Sequence, residues 1–400
     1  MKNCLSCRSK AVSPAIDFGR HALCNRFLET PTANEETVPL GLGVCDRCGV
    51  VQILEPSSAE LLRPRVPWIS CTEPEGHLDD LAASITKLPG LTAGGSICGV
   101  SFKDDSLLRR LEHAGPFRTW RIDPRTELGI QDPCAGIETM QAHLTPPRAE
   151  ALAARKGQSD VVIARHVFEH ASDPPTFAMA LRQLVAPGGY LVIEVPDCQK
   201  TLDACDYTTV WEEHCLYLTR STFHRVLNEQ GFTIRHFSCI PYALENSLVA
   251  IAVVDSGKPA SALDQGVVPK EVERIRHFAE AFTGRKRAIH DELERLRNQH
   301  GRIAIFGAGH LACTFINLFD VGGFVDCVLD DNPHKVGLYM PGSRIPIVSS
   351  RALLDRGITL CLLSIGAGGE HTVIDKHREF IARGGMFRSI FPTSPVAIGS

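Results

Sequence analysis

From about Leu78 onward, short apolar runs alternate with stretches whose apolar residues recur every three or four positions. His77–Leu88 has helical spacing, Ser96–Gly99 is a short apolar strand, and Ser106–His113 is helical again. Phe117–Ile122, Ser159–Ala164 and Tyr190–Val195 continue the pattern, each an apolar strand followed by turn signals and a helix-like stretch. Strands alternating with helices predict an α/β domain with a mostly parallel, doubly wound sheet. Val268–His300 keeps Ile275, Phe278, Phe282, Ile289, Leu293 and Leu296 three, four or seven residues apart, the pattern of one long helix or of two broken at Gly284. A second strand, glycine turn, helix and strand follow, with Arg302–Phe306 and Phe324–Leu329 as the strands and Leu360–Ile365 as a later one. Residues 1–75 differ in kind. They mix Cys, Pro and turn residues with short strand-like runs such as Gly49–Leu54, too little to form a core without a cross-link. The pattern divides the chain at 1–75, 76–260, 261–300 (a helical connector) and 301–400.

Four hundred residues exceed what one hydrophobic core usually organises, in keeping with these divisions. The net charge of −4, with no basic patch interleaved with aromatics, argues against a nucleic-acid partner. Apolar stretches such as Leu248–Val254 are too short to cross a bilayer, and no membrane partner is expected. The opening run Met1-Lys2-Asn3-Cys4-Leu5-Ser6-Cys7 lacks the apolar core of a signal peptide, so a cytoplasmic protein is expected. In that compartment thiols stay reduced, and metal binding or burial has to account for the fifteen cysteines.

Cys4-x-x-Cys7 and Cys45-x-x-Cys48 are two paired knuckles. Each sets two thiolates on one side of a tight turn, and two pairs complete a tetrahedron around Zn2+. Four protein ligands leave no open position, so the zinc is expected to be structural. Cys24 and Cys71 are spare ligands without a partner at knuckle spacing.

Two further features point to nucleotide-type ligands. Asp123, in Arg121-Ile122-Asp123-Pro124, stands at a strand end where a carboxylate holds ribose hydroxyls; the plainer reading is an Asp capping the next turn. Gly307-Ala308-Gly309-His310-Leu311-Ala312 is a G-x-G-x-x-A turn between strand and helix, with Asp330 and Asp331 about twenty residues on. By itself that turn suggests NAD, or a tight packing turn with no ligand.

Beyond these features the chain resembles the sugar C-methyltransferases that act on nucleotide-linked 4-keto sugars. The resemblance rests on Cys4-x-x-Cys7, Leu23-Cys24-Asn25-Arg26-Phe27 and Val44-Cys45-Asp46-Arg47-Cys48-Gly49-Val50-Val51-Gln52 in the first region. Val167-Phe168-Glu169-His170, Pro187-Gly188-Gly189, Glu194-Val195-Pro196 and Val210-Trp211-Glu212-Glu213-His214 carry it through the second. Asp331-Asn332-Pro333-His334-Lys335-Val336-Gly337, Pro341-Gly342 and Ile345-Pro346-Ile347 carry it through the third.

The resemblance implies a zinc-binding domain, a Rossmann-like domain for S-adenosylmethionine (SAM) and a second Rossmann-like domain that helps hold a nucleotide-sugar substrate. It implies His214 as the base that removes a proton beside a ketone, Glu213 as its orienting group, and His170 as a second polar group in the cleft. Ser101, Asp104 and Asp123 are the expected cofactor residues, joined by Arg165 and His166 from their position just after the strand Ser159–Ala164. Trp68, Trp211, Ser247, Gly307, Gly309, Asn332 and Lys335 are the implied substrate residues, with a sugar-nucleotide contact favoured over NAD at the glycine turn. Three departures stand out. The family's glycine-rich first turn reads Gly99-Val100-Ser101-Phe102-Lys103-Asp104-Asp105, two expected tyrosines are Trp68 and Trp211, and Glu245-Asn246-Ser247-Leu248-Val249 replaces a Gly-Gly-Ser-Leu-Arg segment. Weak SAM binding is expected from the first. An epimerase, an NAD-dependent sugar-nucleotide enzyme or a non-catalytic binding protein on the same scaffold are the alternatives.

Overall fold

The computed structural model describes residues 2–69, 73–254 and 266–398. In chain order its strands are β1 (Val12–Ala22), β2 (Thr37–Cys45), β3 (Val51–Ile53), β4 (Ser96–Gly99), β5 (Arg118–Arg121), β6 (Ser159–Arg165), β7 (Val185–Asp197) and β8 (Leu216–Tyr217). Then follow β9 (Phe232–Ile240), β10 (Asn246–Val254), β11 (Arg302–Phe306), β12 (Val325–Leu329), β13 (Ile347–Val348), β14 (Ile358–Leu363) and β15 (Met386–Ser389). They form three sheets.

The first sheet runs β1-β2-β3-β8 and is antiparallel. Its outer pair is longer than the sequence pattern suggests, because β1 is exposed or half-buried along most of its length and its apolar residues keep no regular period. This region also does not bury its core alone. Leu40, Leu42, Val44, Val51 and Ile53 share one apolar cluster with Phe168, Tyr217 and Leu248 of the middle region. The link is β8, which pairs Tyr217 with Val51 and Leu216 with Gln52.

The middle sheet has the order β5-β4-β6-β7-β10-β9. Its first four strands are parallel, and β10 runs antiparallel to both β7 and β9. Val161–Ala164 and Leu191–Ile193 are fully buried, as expected of parallel strands covered on both faces. Chain order reverses between β4 and β6, so the crevice beyond their carboxyl ends is where such a sheet takes a ligand. The third sheet, β13-β12-β11-β14-β15, is parallel throughout. Two doubly wound sheets are therefore present, as the strand–helix alternation predicts.

The connector is one unbroken helix, Val267–His300. A glycine inside a helix costs about 1 kcal/mol, and burial of Ile275, Phe278, Ile289, Leu293 and Leu296 on one side outweighs it at Gly284. The Tyr207 hydroxyl donates to the Phe278 carbonyl at 2.6 Å and its ring packs 4.2 Å from that of Phe278, tying helix to middle domain. Among the described residues no helix is long and apolar enough to cross a membrane, and the cysteines are free of disulfides.

Gly307 has φ +106°, and a Cβ there would lie 2.9 Å from Ile365 Cγ2 and 3.1 Å from Ser364 Oγ. Gly307→Ala is expected to lower stability by roughly 1–3 kcal/mol, measured as a fall in the urea midpoint; an unchanged midpoint would contradict this packing.

Candidate active site and zinc centre

Cys7 N–H points at Cys4 Sγ (3.4 Å) in the first knuckle. In the second, Gly49 takes φ +78°, which lets its N–H reach the Cys45 carbonyl at 2.8 Å. The sulfurs of Cys4 and Cys48, and those of Cys7 and Cys45, are 3.6 Å apart, and all four lie within 4.8 Å of one another. Zinc–sulfur bonds of about 2.3 Å give tetrahedral edges of about 3.8 Å, so the quartet fits Zn2+ with every position filled by protein. Cys24 is not part of it: its sulfur lies 3.7 Å from Thr314 Oγ1, against the third domain. Cys71 falls outside the described residues.

A cavity of about 350 Å³ opens beyond the carboxyl ends of β4, β6 and β7. The turn after β4 contributes Phe102 and Lys103, and the segment after β6 contributes His166, Glu169 and His170. Trp211, Glu213 and His214 form another wall, and His310 reaches in from the third domain.

At the β4 end the turn is closed on itself. Ser101 is fully buried and its hydroxyl caps Lys103 N–H at 3.2 Å. Asp104 accepts from the amides of Val100 (2.8 Å), Ser101 (2.8 Å) and Arg165 (2.9 Å). Burial nevertheless lifts its carboxyl to about 7. Asp104 is thus a brace for the turn and presents nothing to a cofactor, contrary to the sequence reading. Arg165 is also structural: fully enclosed, it pairs with Glu194 at 2.6 Å and donates to the Lys103 carbonyl at 2.6 Å. His166 does face the cavity. It sits in the left-handed region at φ +47°, rare for a side-chain-bearing residue and held here by its N–H to the Glu194 carbonyl (2.9 Å). Burial disfavours its charge, but Glu73 and Glu194 outweigh that and raise it to about 10. Lys103 pairs with Glu73 at 2.6 Å, adding a second cation at this end. Asp123 stands at the end of β5, half-exposed and outside the cavity lining. Its Oδ1 accepts from Arg125 and Thr126 N–H, and the Thr126 bond leads in holding its carboxyl below the usual range.

The opposite wall gathers the histidines. His214 packs edge-on to His170, ring centroids 4.8 Å apart, and 5.2 Å from Trp211. Its Nδ1 is buried without a hydrogen-bond partner. Burial, then the nearby His170 and His310, push His214 well below its ordinary value, so it is neutral. Burial acts on His170 too, but Glu138 at 3.0 Å reverses the sign and raises it. Environments that drive two neighbouring groups apart in this way mark out an acceptor and a cation. Glu213 does not orient His214. Consecutive turn residues project differently, and Glu213 turns toward Asn25, whose Nδ2 donates to it at 2.8 Å, and toward Glu138. Burial and the Glu138 charge keep it protonated.

In the third domain the amides of the glycine turn itself, Gly307 to Gly309, are already bonded within the fold. Gly307 N–H donates to the Leu329 carbonyl, Ala308 N–H to Asp330 Oδ2 and Gly309 N–H to the Gly307 carbonyl. Lys335 closes it further, bonding the Ala308 carbonyl (2.7 Å) and Asp330 (3.2 Å). Of the two carboxylates that follow, Asp330 is held inside the turn and Asp331 is bonded to Ser350 and Lys376, while the Gly307 and Gly309 amides serve their own backbone. What the turn does is place His310, the first residue of the following helix, in a 4.1 Å stack on Trp211. Asn332 caps its own turn through His334 N–H. Ser247 is enclosed within β10 and misses the cavity, whereas Glu245 lines it, raised to about 8 by burial. Trp68 stacks between Phe27 (6.0 Å) and His334 (5.5 Å) in an adjoining groove of about 570 Å³ that shares Asn25 and Val66 with the main cavity. Glu138, His310, Asn25, Glu73 and Lys103 join the site through the fold: Glu138 and Glu73 stand in no motif, and Asn25, Lys103 and His310 sit inside motifs that do not mark them as site residues.

Three family models match the chain in succession: a zinc binding domain over residues 4–62, a methyltransferase domain over 77–236 and a C-methyltransferase C-terminal domain over 263–392. Sheet order, cavity and thiolate quartet together are those of a methyltransferase with a zinc module. With all three models matched in this order, the chain belongs to the three-domain C-methyltransferase family. Among solved structures it is similar to an O-methyltransferase family protein from Burkholderia thailandensis, with 15% identity, 46% of this chain and 59% of that one covered, and a TM-score of 0.31. It is also similar to the 1,6-didemethyltoxoflavin-N1-methyltransferase of Burkholderia thailandensis, whose structure holds S-adenosylhomocysteine (13% identity, 46% and 80% covered, TM-score 0.31). A third is an S-adenosylmethionine-dependent methyltransferase from Clostridium acetobutylicum (10% identity, 46% and 93% covered, TM-score 0.31). No curated protein matches the chain.

Proposed function

We propose that this methyltransferase moves the SAM methyl group to the carbon beside a ketone in a nucleotide-linked keto sugar, with His214 as the base. The observation that carries the reading is a neutral, half-buried imidazole with an enclosed, unpartnered Nδ1 in a cavity at the switch point of the sheet. SAM supplies an electrophilic methyl group. Of this chain's residues, Asp123 suits the ribose, and the cationic Lys103 and His166 suit a carboxylate tail at the β4 end. Trp211 and His310 form the flat wall against which a sugar ring packs, and the groove at Trp68 extends the site for the nucleotide.

The closed β4 turn favours a second reading, deprotonation and reprotonation without methyl transfer, because its Val100 and Ser101 amides are already taken by Asp104. Calorimetry with SAM decides between them. Binding is expected, with Asp123→Ala weakening it by about 1–3 kcal/mol. Asp123→Asn, which retains a neutral acceptor for the Thr126 cap, serves to separate loss of the ribose contact from loss of the turn. Absence of any SAM binding to the wild-type protein would transfer the assignment to the second reading.

A further inference from the structure

Glu138, His170 and Glu213 are each more than nine-tenths buried, line the same cavity, and bring one donor atom apiece within 4.8 Å of one another. His170 Nδ1 stands 3.0 Å from Glu138 Oε1, yet it has no hydrogen-bond partner of acceptable geometry. An off-axis N···O contact of this length has another physical meaning. Ligands bonded to one cation at about 2.1 Å in an octahedron lie about 3.0 Å apart along each edge. The thiolate quartet shows the same signature in the same chain, its 3.6 Å sulfur contacts close to the edge expected around zinc.

We infer that Glu138, His170 and Glu213 form a second metal site, for a divalent first-row cation, inside the active-site cavity. Two carboxylates and an imidazole are the donor set that Mn2+, Fe2+, Co2+ or Zn2+ accept, and a thiolate-free set distinguishes it from the zinc module. Two carboxyl groups held side by side out of water take up a proton or a cation, and a dication displaces the proton that Glu213 otherwise keeps. Asn25 Nδ2, bonded to Glu213 Oε1 at 2.8 Å, leaves the other oxygen to coordinate and fixes the carboxylate's direction. Trp211 Nε1, also buried without a partner, faces the same space, where a bound oxygen ligand could accept from it. The ligands come from the helix Ile137–His143, the segment after β6 and the turn before β8, so they converge only in the folded chain. If the reading of the reaction given above holds, a cation here would draw electron density from the substrate's ketone oxygen beside His214. The binding inference itself does not need that reading.

Mn2+ titration of the zinc-loaded wild-type chain, followed by electron paramagnetic resonance without substrate or SAM, tests the site, since thiolates hold Mn2+ poorly. One Mn2+ per chain is expected, with a pulsed-resonance coupling to one directly bound imidazole nitrogen. Glu138→Gln and Glu213→Gln are each expected to weaken binding by about tenfold or more while the thiolate-bound zinc stays. No bound Mn2+, bound Mn2+ without nitrogen coupling, or binding indifferent to both substitutions would overturn the inference and leave a shared proton as the link between the two carboxyls. The nitrogen coupling is read on the wild-type protein, so the outcome does not depend on either variant folding. Because neither substrate nor SAM is present, a failure here is separate from a failure of the methyl-transfer reading.

Discussion

Cys45→Ser is expected to remove the tightly held zinc and to loosen far more than the knuckle that carries it. Structural zinc in a small module contributes on the order of 10–16 kcal/mol of apparent binding energy to folding at neutral pH. Cys45 is the last residue of β2 and is fully enclosed, so its loss leaves three thiolates and an open coordination position in an apolar setting. The sheet then transmits the damage. β3 follows the second knuckle, β8 pairs with β3, and β8 begins two residues after His214. Metal analysis of chain dialysed against a weak chelator should give one zinc per chain for the wild type and much less for Cys45→Ser. Hydrogen exchange should rise across residues 12–53 and at 216–217 together, and activity should fall with it. Full zinc retention in Cys45→Ser, or zinc loss with unchanged exchange at 216–217, would refute this coupling.

The same sheet shows what the amino-acid pattern could and could not convey. Apolar periodicity located β4, β6, β11 and the long connector to within a residue or two, because buried parallel strands and amphipathic helices write their environment into consecutive positions. The knuckles were legible because zinc geometry demands a fixed local spacing. The role of β8 was not: two residues carry no periodicity, and their partner lies more than 150 positions earlier. Site chemistry divides along the same line. His170 and His214 stand in motifs that the family resemblance makes readable, and Asp123 and His166 stand at strand ends that the α/β pattern marks. Glu138 stands in no motif and His310 is not a signature position of its glycine turn, and only the packing of the helix Ile137–His143 and of the third domain brings them to the cavity. Motif residues read as ligand contacts are harder to place from sequence. Asp104 and the Gly307–Gly309 turn satisfy their own backbone instead, and neither outcome is visible until hydrogen-bond partners are known.

The largest expected effect on chemistry belongs to His214, and it is measurable without a methyl donor. If His214 removes the proton beside a substrate ketone, that proton exchanges with solvent deuterium when a keto-sugar nucleotide is incubated with the enzyme. Exchange needs the base and the bound substrate alone. His214→Ala is expected to slow it by roughly 10²–10⁴-fold, the usual contribution of a positioned base. The fold should tolerate the change, since the ring's Nδ1 makes no hydrogen bond that would be lost and the residue is only partly enclosed. Trp211→Phe keeps the stack on His310 but removes the buried, unpartnered Nε1–H, the group placed to donate to a developing enolate oxygen. Its loss should be smaller, about 1–3 kcal/mol of barrier, because a water or a second donor can take its place. Adding SAM to the wild-type reaction then converts exchange into a product with a new carbon–carbon bond, detected as a mass gain of one methyl group on the sugar. Exchange that persists unmethylated with SAM bound would mark deprotonation and reprotonation as the reaction. Wild-type exchange rates in His214→Ala would remove His214 from the role of base and turn attention to His170, the other imidazole in the same wall.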